Sequence, residues 1–286
     1  MSVHNMTTIK IITDSSCDLP KLIVDELGIT IVPLSVHFGE ECMPPHMELC
    51  EFYARMKTES VLPKTSSPSP LHFLTDYQKK AEVNQDILVI CLSSALSSTY
   101  NHALMAKAML QEEGYQGRIE VIDSRTASLG LGVLAFKAAK MAVEHVPFEQ
   151  IVESIRRSVA SSGTLFFLDT LENVIKGGRL DRVRGAAASV LNIKLVMKAS
   201  EEGSIEVMDK IRGTQQALKR MIAKVGEAVH DYEKDVIAVA HSNCEERARE
   251  VLSQLLQKHP FRNVLFANMG TVIGTYAGEG GVLIAY

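Results

Sequence analysis

Short apolar runs alternate with stretches of helical periodicity along most of the chain. Ile9 to Thr13, Ile29 to Phe38, Ile87 to Leu92 and Ile119 to Ile122 are compact apolar runs of strand length. Helical patterns follow most of them: Leu19 to Leu27, Leu71 to Val83, Tyr100 to Glu113 and Ala127 to Glu144. Gly28 and Gly114 stand directly after two of these runs, where a residue free to turn left-handed ends a helix. Strand and helix in regular alternation predict a doubly wound, mainly parallel sheet.

A further helical stretch, Pro147 to Ser161, precedes a change of pattern. Thr164 to Leu168 reads as a strand, and a short helix leads into Lys176-Gly177-Gly178-Arg179. Strands are then expected at Leu195 to Ala199, Ile205 to Asp209, Val236 to His241, Val264 to Ala267 and Val282 to Ala285. Glu202-Gly203 is short and contains glycine, so it predicts an antiparallel hairpin between the first two. The fold class expected is α/β with two domains: residues 1–160 around the doubly wound sheet, and residues 161–286 around a second, mixed sheet. Ligands of open α/β sheets bind beyond the carboxyl ends of the strands.

Composition narrows the partners. The 286 residues are 46% hydrophobic and 22% charged, as in a globular protein with a large core. A net charge of −4 and a pI near 6.2, with no basic block, give no electrostatic footprint for nucleic acid. Met1 to Met6 lacks the charged and apolar regions of a secretory signal, and no apolar run reaches about 18 residues, so a cytoplasmic protein is expected. Five scattered cysteines without a C-x-x-C pair suggest reduced thiols. Cys42, His46 and Cys50 are spaced by four, yet Pro44 and Pro45 break any helix through them and a fourth ligand is absent, so no metal site is expected.

The candidate chemistry lies in hydroxyl-rich loops. The run Ile87 to Leu92 opens onto Ser93-Ser94-Ala95-Leu96-Ser97-Ser98-Thr99 and then a helix. A helix N-terminus offers unpartnered N–H groups and partial positive charge, and serine hydroxyls add donors, so a carboxylate or phosphate fits there. The same residues also serve as ordinary caps. Thr13 to Ser16, Thr65 to Pro70 and Asp123 to Ser128 are three more such loops. Four of them near strand ends either surround one polar ligand group or make separate Asx and Ser/Thr turns.

The ordered segments Ile12 to Ser16, Lys64 to Ser69, Leu92 to Tyr100, Val121 to Ser124 and Leu171 to Leu180 resemble the DegV family of bacterial fatty-acid-binding proteins. The resemblance runs from Ile11 to the C-terminus. It implies two α/β domains enclosing a long acyl tail, residues 1–160 carrying the carboxylate-binding loops and residues 161–286 closing over the chain. By position, Thr65 and Ser97 match the family's carboxylate ligands, with Ser66, Ser93 and Ser94 as neighbouring candidates. Arg179 matches the Gly-Gly-Arg motif, and Arg212 the basic residue after the second-domain hairpin. Such residues are associated in the family with presenting the head group to a soluble fatty acid kinase. The partners implied are therefore a long-chain fatty acid and that kinase, with transient membrane contact allowed, a monomeric state, and no cofactor or metal.

The physics of such a ligand is simple. Each buried methylene contributes about 0.8 kcal/mol, so about fifteen give on the order of 12 kcal/mol before association costs. The tail supplies affinity, while neutral hydroxyls and helix-end amides keep the carboxylate from being buried bare. Twelve methionines and many Leu, Ile and Val offer an adaptable lining.

Three positions depart from the family pattern. Tyr276 stands where a histidine is common, Glu279 where a proline is, and Ser98 where a glycine is. Tyr276 remains a candidate head-group contact through its hydroxyl, whereas a Glu279 pointing inward would repel a carboxylate. Competing functions are a lipid-responsive sensor or scaffold, and a serine hydrolase in which Ser97 works with His102 or His241 and Asp14 or Asp123. No G-x-S-x-G stands in the sequence to support the hydrolase.

Overall fold

A computed structural model describes residues 9–44, 47–78, 85–180, 193–229, 231–232 and 235–286. Met1 to Met6, His46 and the end of the helical pattern expected to reach Val83 lie outside the described residues. The strands are β1 (Ile9–Asp14), β2 (Thr30–Val32), β3 (Ser35–Phe38), β4 (Glu41–Cys42), β5 (Lys64–Ser66), β6 (Asp86–Cys91), β7 (Ile119–Asp123), β8 (Thr164–Phe167), β9 (Ile193–Ala199), β10 (Ile205–Arg212), β11 (Val236–His241), β12 (Asn263–Asn268) and β13 (Val282–Ala285). The helices are α1 (Lys21–Glu26), α2 (Leu49–Thr58), α3 (Pro70–Gln78), α4 (Thr99–Glu112), α5 (Leu129–Val143), α6 (Phe148–Ser161), α7 (Glu172–Lys176), α8 (Thr214–Ala228), α9 (Glu245–Lys258) and α10 (Thr271–Ala277).

Strands β2-β1-β6-β7 form a parallel sheet in that order. Successive strand residues point to opposite faces, and both faces are covered here, which is why these strands are apolar throughout. Ile11, Leu88 and Ile90 pack toward α5 and α6 with Leu131, Leu134 and Ile151. Ile12, Ile87 and Val89 pack toward α3 and α4 with Phe73, Tyr77 and Ala103. The second sheet, β10-β9-β8-β13-β11-β12, is antiparallel except between β11 and β12. Helices α8 and α9 cover one of its faces through Leu218, Met221, Val251 and Leu255, among others.

Helix α5 lies between the two sheets. It is apolar nearly all round, as a helix buried on all sides must be. Leu131 and Leu134 face the first core, and Leu129 and Val133 the second. A Cβ on Gly132 would stand 2.6 Å from the Cys17 carbonyl, so glycine is what lets this helix approach the turn after β1.

Some expectations are corrected in detail. Ile29 to Phe38 is two strands, because Pro33 lacks the N–H a continuous ladder needs. After Pro33 the chain joins a separate antiparallel sheet, β4-β3-β5. Helix α1 starts only at Lys21, after Pro20. The expected hairpin forms at Glu202-Gly203, with Gly203 at φ +85°, and β10 continues through a bulge to Arg212.

Candidate functional site

Between the two sheets lies a cavity of about 900 Å3, counting its open mouth. Its wall is mostly apolar, with Leu34, Leu96, Phe166, Leu168, Val272 and Leu283 among the residues that form it. Of the methionines, only Met269 lines it among the described residues; others, such as Met197 and Met221, are buried in the cores. Of the expected lining of methionine, leucine, isoleucine and valine, the branched aliphatic residues are found there and the methionine part is corrected.

Thr65, Ser97, Arg179 and Tyr276 meet at one part of this wall. Thr65 is the middle residue of β5, held by pairing with Val36. Its Oγ1 lies 2.6 Å from the Tyr276 hydroxyl on α10, and either oxygen can donate. Ser97 precedes α4, and its Oγ is 2.9 Å from Thr99 Oγ1, 3.2 Å from Ser67 Oγ, and accepts from the Thr99 N–H at 3.3 Å. Arg179 follows α7, donates through Nε to the Leu96 carbonyl at 3.2 Å and through Nη1 to the Gly177 carbonyl at 2.6 Å. Its guanidinium sits 4.7 Å from the Tyr276 ring centroid, a cation–π contact that fixes both. Two hydroxyl groups, a phenol and a guanidinium around one opening are a donor set suited to a carboxylate.

The other candidates lie elsewhere. Ser66 neighbours Thr65 on a strand, so its side chain points the opposite way and meets His37 Nε2 at 3.1 Å. Ser94 is exposed, and its N–H donates to Asp123 Oδ1. Ser93 is fully buried and makes a turn, its Oγ accepting from the Ala95 N–H at 3.1 Å. Arg212 is exposed at the far end of β10 from Ser204, eight residues or about 26 Å away at ~3.3 Å per residue. Glu279 points away from the cavity, to Lys57 Nζ at 2.8 Å and Asn243 Nδ2.

Of the four hydroxyl-rich loops, three reach the cavity and Thr13 to Ser16 does not. Asp14 in that loop is an internal acceptor for the Ser16 hydroxyl and N–H and for the Leu92 N–H. For the hydrolase reading, Ser97 Oγ bonds hydroxyls, while His102 Nδ1 is 2.8 Å from the Pro68 carbonyl and His241 is buried on β11 against Phe266. Thr126, Ser128, Thr164 and Ser204 also line the cavity. Thr164 was visible in sequence only as the first residue of a strand.

Comparisons with known proteins agree on one relationship. A sequence model described as "Uncharacterised protein, DegV family" matches residues 8–286. A DegV domain-containing protein of Caldanaerobacter subterraneus is 30% identical over 275 residues, 96% of each chain. A solved DegV-family structure from Ruminococcus gnavus, refined with vaccenic acid, has a TM-score of 0.90 at 30% identity, covering 98% of this chain and 100% of that one. The Streptococcus pneumoniae fatty acid kinase B3 protein, loaded with linoleic acid, has a TM-score of 0.85 at 26% identity, covering 98% and 99%.

Proposed function

Because this chain belongs to the DegV family, we propose that it binds a long-chain fatty acid and presents its carboxylate to a fatty acid kinase without itself catalysing a reaction. The observation that carries the reading is an apolar cavity whose hydroxyls, phenol and guanidinium gather at one place, Thr65, Ser97, Tyr276 and Arg179. An acyl chain has the same polarity: one charged end and a long apolar body. Thr65 and Ser97 hold the carboxylate, and Arg179 balances its charge from across the Tyr276 ring. Residues 1–160 supply the carboxylate-binding loops and residues 161–286 close over the tail. The fatty acids held by the R. gnavus and S. pneumoniae proteins support the ligand class, and the name of the latter supports the kinase partner.

The first test is native mass spectrometry of freshly purified protein, followed by denaturing extraction. A stoichiometric long-chain fatty acid is expected. Protein that is empty, and stays empty after incubation with fatty acids, overturns the reading. Kinase presentation is tested separately, by adding a fatty acid kinase and ATP and following acyl phosphate formation with and without this protein.

A further inference from the structure

The polar residues of the cavity fall into two groups. Strand β8 separates them. Thr164, Phe166 and Leu168 alternate onto the cavity side of this segment. Beyond Leu168 the chain enters α7, whose C-terminal Gly177 abuts the Tyr276 ring, so that end belongs to the proposed carboxylate site. Thr164 lies four residues back, about 13 Å away at ~3.3 Å per residue, opposite Ala285 and next to the β9–β10 turn.

At this distal end Thr126 and Thr164 place their Oγ1 atoms 2.8 Å apart. Both side chains are more than nine-tenths buried, at 6% and 8% exposure, and both line the cavity. Two hydroxyls hold two protons, and the bond between them uses one. No acceptor for the second stands among the described contacts. The Ser128 hydroxyl, also on this wall, donates its proton to Asp18 Oδ2 at 2.6 Å, so only its lone pairs are left for another partner. The pair is built closely: a Cβ on Gly130 would overlap both threonine oxygens. Against a plain alkyl tail the pair's second proton stays buried without an acceptor, which is costly, and valine would fill the same space without that cost.

We infer that the preferred ligand is an oxygenated fatty acid, with a hydroxyl on the distal half of its chain that bonds the Thr126–Thr164 pair. The inference rests on the fatty-acid reading above. A ligand hydroxyl accepts the spare threonine proton and donates its own to a hydroxyl oxygen of the same wall. The threonine pair also ties the two halves of the chain together, but a tie alone adds stability without discriminating between ligands.

The test is competitive binding of stearic acid and of hydroxystearic acids with the hydroxyl moved stepwise along the distal half. At least one positional isomer is expected to bind about tenfold tighter than stearic acid, the worth of one well-made neutral hydrogen bond. Thr164→Val and Thr126→Val should each erase that preference, the hydroxystearic acids falling to the affinity that stearic acid shows on the same variant. Stearic acid binding as tightly as every isomer overturns the inference and leaves the fatty-acid reading standing; so does a preference that survives both substitutions. If no acyl chain of either kind binds, the fatty-acid reading falls and this inference with it. The wild-type comparison decides the matter even where a valine variant fails to fold.

Discussion

A carboxylate in a low-dielectric cavity is stable only where donors are aimed at it, and Thr65 Oγ1 and Tyr276 OH stand 2.6 Å apart on its wall. A phenol stays an uncharged O–H donor through neutral pH, whereas an imidazole changes charge there. Substituting Tyr276→His should therefore add a pH dependence to fatty-acid retention, favouring about pH 6 over about pH 8 more than the wild type does. Thr65→Ala combined with Ser97→Ala should weaken retention about tenfold or more at every pH with an unchanged circular dichroism spectrum. A double variant that retains ligand like wild type removes these residues from the head-group site. At this scale the residues alone offered four hydroxyl-rich loops, and the family resemblance picked out Thr65, Ser97 and Arg179, which the fold brings to one cavity. What could not be read was orientation. β5 is three residues long without an apolar run, so no periodicity distinguished Thr65, facing the cavity, from Ser66, facing His37. Ser93 and Ser94 have the right chemistry but do not line the cavity: the Ser93 hydroxyl is buried against the Ala95 N–H, and Ser94 is exposed, its backbone N–H bonding Asp123.

Between elements, the tie that matters most is Asp18. It sits left-handed at φ 52° just after the short turn that follows β1. Its Oδ2 accepts from Ser128 at the start of α5, and its Oδ1 accepts from the Gly270 N–H at the start of α10. Burial raises its carboxyl to about 7, with the nearby Asp14 adding to the rise and the two hydrogen bonds opposing it. A free aspartate in the unfolded chain titrates near ~3.9. Between those values the native state holds a proton that the unfolded state has lost, so this group's contribution to stability falls as pH rises through the window and stays low above it. Asp14, also raised by burial, acts with the same sign. Asp18→Asn keeps an acceptor for Gly270 and gives Ser128 a donor, while removing the titration. Thermal melts from about pH 4 to about pH 7.5 should show the variant gaining on the wild type as pH rises; parallel curves would mean that Asp18 does not hold its proton. The elements themselves were largely read from apolar periodicity, and α5 was expected at nearly its observed bounds. That Asp18 joins three of them was not legible, because its partners are 110 and 252 residues away and no local pattern encodes a long-range cap.

For the whole molecule, the cavity has one wall from strands of the second sheet and another from loops beyond the carboxyl ends of the first, Leu34, Leu92 and Thr126 among them, while α5 packs against both cores. The β9–β10 turn closes one side by landing on the other half of the chain. Arg125 Nη1 donates to the Glu201 carbonyl at 3.0 Å, and Gly203 lies so close to Ser93 Oγ and to the Arg125 backbone that any Cβ would overlap them. Sequence identified Glu202-Gly203 as a turn; its landing place is a property of the assembled fold. Gly203→Ala both strains a residue at φ +85° and pushes the turn off Ser93, at a cost of about 1–3 kcal/mol. A ligand lying between the halves stabilises the native state by about 2.7 kcal/mol at a hundredfold excess over Kd. That linkage should shrink in Gly203→Ala, because a loosened turn raises Kd and so lowers the excess at the same ligand concentration. The expected result is faster fatty-acid release and a smaller ligand-induced rise in Tm, with the far-ultraviolet spectrum unchanged. An equal Tm rise in both proteins would mean that the turn is a passive rim, and that the rest of the cavity wall holds the ligand without it.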